Sequence, residues 1–83
     1  MAHYLFAAES ATRAQRLLRL FTERGIAAAV QHLPVGLTPE GCAYAVSVSP
    51  RRFEAARKIL QSRSIAVRRV FYHDENGYSE VTL

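Results

Sequence analysis

Two stretches of this chain repeat one pattern, a short apolar run followed by an amphipathic helix, and that repeat limits the fold more than any other feature. In the first, residues 2–8 centre on Tyr4, Leu5 and Phe6 and read as a buried strand. Ser10 stands where a helix N-cap is wanted. Ala14, Leu17, Leu18 and Phe21 then recur at helical spacing through residues 11–24, until Gly25 stops the helix. In the second, residues 42–49 alternate Tyr44, Val46 and Val48 with Ala43, Ala45, Ser47 and Ser49, a period of two. Ser49-Pro50 opens the next helix, which runs to about residue 62 with Phe53, Ala56, Ile59 and Leu60 turned inward.

The remaining segments complete the pattern. Residues 26–32 are rich in alanine, but Gly25 before them and Pro34 after them favour a strand. Residues 33–41 hold two prolines and two glycines and form an irregular loop. Residues 65–72 are the fourth strand, and Asn76-Gly77 is a hairpin signal that can fold residues 78–82 back as a short fifth strand. The order β-α-β-β-α-β predicts an α+β ferredoxin-like split βαβ sandwich, a four-stranded antiparallel sheet with both helices on one face. Right-handed crossovers give the strand order 4-1-3-2. The opposite face is then solvated, paired in a dimer, or covered by the C-terminal hairpin. Residues 1–83 are room for one domain.

Charge and cysteine usage narrow the functional classes. The net charge is +4, and its arginines fall mainly on the two helices, where solvated faces need such residues. Nucleic-acid binding therefore rests on charge alone. Tyr4, Tyr44, Phe71 and Tyr72 offer a base-stacking platform only if they share the open sheet face. The RNA-recognition aromatic motif is absent. One cysteine excludes an intramolecular disulfide, and with His3, His32 and His73 it matches no zinc spacing, so no metal or cofactor is expected. The N-terminal residues lack the pattern of a signal peptide and no run is long enough for a membrane helix, which makes the cytoplasm the expected compartment. No hydrolytic triad, carboxylate pair or phosphate loop can be assembled, and the seven acids read as solvated surface.

The residue left for chemistry is Cys42. In the expected topology the start of strand three lies beside the end of strand one, so Cys42 falls near Ser10, Arg13 and the N-terminus of the first helix. Unpaired N–H groups there favour a thiolate, with the Ser10 hydroxyl and Arg13 as further donors. Gly41 lets a backbone or a bound sulfur approach, the Pro/Gly-rich loop keeps the thiol partly exposed, and His32 ends strand two on the same edge. The same spacing also suits a small buried hydrophobe in phase with Tyr44 and Val46.

Four stretches bear on the choice: Phe6 to Ser10, Gly25-Ile26, Leu33-Pro34 to Thr38, and Gly41-Cys42-Ala43-Tyr44-Ala45. Together they resemble the small bacterial and archaeal selenium/sulfur-carrier-like proteins, over most of the chain up to about Tyr72. Two departures stand out. Ala43 follows the cysteine where the family commonly has glycine, and Val35-Gly36-Leu37 lacks an arginine often found there, with any anion contact it provides. The resemblance implies that Cys42 takes sulfane sulfur or selenium from a donor protein, holds it as a persulfide or selenosulfide, and passes it to an acceptor protein. In that reading the arginine-bearing helix faces serve docking. The competing reading is a non-enzymatic regulatory or interaction module, a homodimer formed through the open sheet face.

Overall fold

The structure, a computed structural model, describes residues 2–65 and 67–82. Its elements are β1 (His3–Ala8), α1 (Ala11–Glu23), β2 (Ala28–His32), β3 (Tyr44–Val48), α2 (Phe53–Ser62), β4 (Val70–Asp74) and β5 (Gly77–Val81). A 3₁₀ turn, Pro50–Arg52, leads into α2; Ser49 precedes it with an extended backbone but makes no capping hydrogen bond through its side chain. The strand order is β2-β3-β1-β4-β5, every neighbouring pair antiparallel. The first four strands thus take the order expected from the sequence. The sheet has five strands rather than four because the hairpin arm pairs with β4 from Gly77 to Val81 and becomes an edge.

β1 and β3 lie inside the sheet and are packed on both faces, so their residues are buried or half-buried throughout. On one face Phe6, Val46, Val48 and Val70 meet Ala14, Leu17 and Phe21 of α1 and Ala56 and Leu60 of α2, all in one buried cluster. The helices therefore share a face. Tyr4, Tyr44 and Tyr72 also turn toward that side; Tyr4 stacks on Phe53 of α2 with ring centroids 4.0 Å apart. Only Phe71 of the proposed stacking platform lies on the other face, and it is buried. Core packing accounts for these aromatics.

The second face is not open. Leu5, Ala7, Ala45 and Phe71 are buried beneath Leu33 and Cys42, with Leu37 and Tyr78 partly buried against them. Leu33 and Leu37 of the 33–41 loop fold back onto this face, and Tyr78 of the hairpin packs beside them. These apolar residues are thus covered within the chain itself.

Two boundaries shift for one reason. β2 begins at Ala28 and β4 at Val70, later than the apolar patterns suggest. Each preceding helix ends in a Schellman motif that uses the next apolar residue. Ile26 donates to the Phe21 carbonyl at 3.0 Å, and Ile65 donates to the Leu60 carbonyl at 2.9 Å. Ile26 and Ile65 belong to helix termination, not to strands. Ala66, in the expected fourth strand, lies outside the described residues.

Candidate functional site

Cys42 sits in the loop just before β3, two residues earlier than the strand it was expected to open. The local sequence fixes it there by backbone hydrogen bonds. Thr38, buried to 4% exposure, accepts the Cys42 N–H on Oγ1 at 2.7 Å. Its carbonyl accepts from the Gly41 N–H at 3.1 Å, and Leu33 donates to the Ala43 carbonyl at 2.8 Å, which prolongs the β2–β3 pairing past the strands. Gly41 has φ +75 and nothing within 4 Å of where a Cβ would stand. Its role is therefore conformational, a turn most side chains resist, rather than making room for a second backbone.

Cys42 as a residue is 6% exposed, which agrees with the buried reading of its spacing and not with the open one that the loop composition suggested. Leu33 and Leu37 fold inward from that loop, and together with Ala7 and Ala45 they enclose it. One wall remains. Cys42 lines a cavity of about 340 Å³ between the end of β1, the first turns of α1 and the segment that precedes β4. Ala8, Leu17 and Val67 supply apolar lining; Glu9, Arg13, Arg16 and Arg68 supply charge.

The charges are not balanced. Arg68 pairs with Glu9 at 3.3 Å. Among the described residues, neither Arg13 nor Arg16 has an acidic partner within ion-pair distance. Arg13 and Arg16 thus line the same cavity as Cys42, and their unpaired positive charge attracts anions.

The sequence-derived site residues separate in the structure. Cys42 and Arg13 come together at the cavity. Ser10 lies next to it, its hydroxyl oxygen accepting the Arg13 N–H at 3.1 Å as the N-cap of α1. It holds the helix start, and its O–H stays free to donate. His32 faces Tyr44 across the edge of the sheet, ring centroids 4.9 Å apart, and does not line the cavity. His3 and His73 pair in register at the far end of the sheet.

Arg16, Val67 and Arg68 are among the cavity residues that sequence reasoning missed. Arg16 looked like one more solvated helix residue, and Val67 and Arg68 lay in an assigned strand. A further group ties the loop down. Arg69 contacts Glu40 at 3.0 Å and Glu80 at 2.8 Å, so these two acids are paired rather than freely solvated. The hydrogen bond from Arg69 holds the Glu40 carboxyl below its ordinary range, and the same contact raises Arg69. Among the described residues, no group of three or more His, Cys, Asp or Glu stands together as a metal site, and no helix is long and apolar enough to cross a membrane.

Comparison with known proteins gives one match. The family model described as "Putative Se/S carrier protein-like" matches residues 3–72. That range runs from the start of β1 to the third residue of β4 and includes Cys42 with its whole loop. No curated protein and no solved structure matches.

Proposed function

The chain belongs to the Se/S carrier protein-like family, and on that premise we propose that Cys42 is the residue that carries the chalcogen. The observation behind this reading is that the only cysteine forms a wall of a cavity holding two arginines without acidic partners. With no second cysteine in the chain, a persulfide formed here has no internal thiol to displace it as a disulfide.

Loading needs no oxidant. The Cys42 thiolate attacks the outer sulfur of a persulfide on a donor protein; a new S–S bond forms, the donor's S–S bond breaks, and the donor leaves as a thiolate. Release repeats the step in the other direction, as an acceptor nucleophile takes the outer atom and Cys42 regains its thiolate. Selenium as the outer atom changes neither the bond count nor the electron count. Arg13 and Arg16 would hold the negative charge of the outer atom, Ser10 would fix the α1 terminus that presents them, and Gly41 would set the turn that aims the thiol. His32 has no part in this scheme. The cytoplasm, where thiols stay reduced, suits a free cysteine of this kind.

The test is intact mass after incubation with a cysteine desulfurase and cysteine. One added sulfur is expected on the wild-type chain and none on Cys42→Ser. An unmodified wild type, or equal addition to Cys42→Ser, would refute the reading.

A further inference from the structure

The net charge of +4 conceals a segregation. Residues 11–24 and 50–63 carry nine Lys and Arg against Glu23 and Glu54, a net of +7; the rest of the chain carries Arg68 and Arg69 against five acids, a net of −3. The fold turns this into a surface. Both helices pack on one face of the sheet, so their outward sides form a single basic layer. Pairing neutralises little of it: Arg19 reaches Glu23 at 3.9 Å and Arg57 reaches Glu54 at 2.8 Å. Among the described residues, the other cations of the layer have no acidic partner.

Two of them stand against the field of their own helix. Arg51 and Arg52 occupy the turn that runs directly into α2, at the end where the helix dipole disfavours cations. The layer is also continuous with the site, because Arg13 and Arg16 belong to α1 and to the Cys42 cavity alike.

We propose that the α1–α2 layer docks an acidic surface of the protein that exchanges cargo with Cys42. The class of partner rests on the carrier reading; the charge complementarity does not. The layer has no exposed aromatic side chain on which bases could stack, since Phe53 packs inward on Tyr4 and Phe6, and this favours a protein over nucleic acid.

The experiment uses the full chain, isotope-labelled for NMR, with a short peptide of alternating Glu and Ala as probe and a single-stranded oligonucleotide of equal charge as comparison. At low ionic strength the peptide is expected to bind and to shift amide signals on α1 and α2 but not on β5. Binding should weaken with added salt. Reversing Arg51, Arg52 and Lys58 to Glu should weaken it about tenfold, the sum of three modest charge contacts. Arg51→Glu and Arg52→Glu place acids at the start of α2, where they favour the helix, and Lys58→Glu puts a good helix former in its middle. Cys42→Ser should bind as the wild type does. Absent binding, equal binding by the reversed variant, shifts confined to the sheet side, or tighter binding of the oligonucleotide would each overturn the proposal. Peptide binding requires no sulfur, so a chain that binds but fails to load condemns the carrier reading alone, and one that loads but does not bind condemns the docking layer alone.

Discussion

The hydroxyl of Thr38 accepts the Cys42 N–H at 2.7 Å in a place where neither residue exceeds 6% exposure. A backbone amide that loses its partner there gains no water in exchange. Thr38→Val keeps the shape and removes the acceptor, so it should lower stability by about 1–3 kcal/mol, while Thr38→Ser should keep most of it. Urea unfolding of the three proteins measures the difference. Cys42 was legible from the sequence because it is the only cysteine, and Arg13 because it follows a helix cap by three residues. The burial of Cys42 was one of two readings the spacing left open, an exposed thiol or a small buried hydrophobe. It depends on Leu33 and Leu37 turning inward, which a stretch of prolines and glycines does not announce. Thr38 left the one local signal, a hydroxyl four residues before the cysteine, of the kind that bonds nearby backbone.

At the level of elements, α1 and α2 end in the same hydrogen-bond pattern with different residues at the left-handed position. α1 uses Gly25, φ +79, and α2 uses Ser64, φ 54. A serine pays a steric penalty there that glycine avoids. Ser64→Gly should therefore stabilise the fold by about 1 kcal/mol, which for a domain of this size raises the melting temperature by about 4–8 °C. Gly25→Ser should move it the other way by a similar amount, and calorimetry of both variants checks the pair. The contrast also explains what could be read in advance. Gly25 marked the end of α1 within one residue, whereas Ser64 carries no such mark, and Ile65 consequently looked like the start of a strand instead of the last contact of a helix.

For the molecule as a whole, strand order followed from the sequence because only a few arrangements of this element order keep connections short and right-handed. The cover over the second sheet face did not, since it joins residues far apart in the chain. Arg69 shows how that cover is secured: it bridges Glu40 on the loop and Glu80 on β5. The Glu40 carboxyl lies below its ordinary value of 4.5 because of the Arg69 hydrogen bond. Its contribution to stability is thus complete above the unfolded value and fades as pH falls through the lower folded one. Urea midpoints measured from neutral pH into acid should show this loss, and Glu40→Gln should flatten that part of the profile. The Thr38–Cys42 hydrogen bond finally gives the loop a clock. The Cys42 amide proton is tied to a side chain of the loop rather than to a neighbouring strand, so its exchange with solvent waits on the loop lifting. A bulky reagent approaching the sulfur from the loop side waits on the same event. Amide exchange at this one position thus reads out how often the thiol is uncovered there.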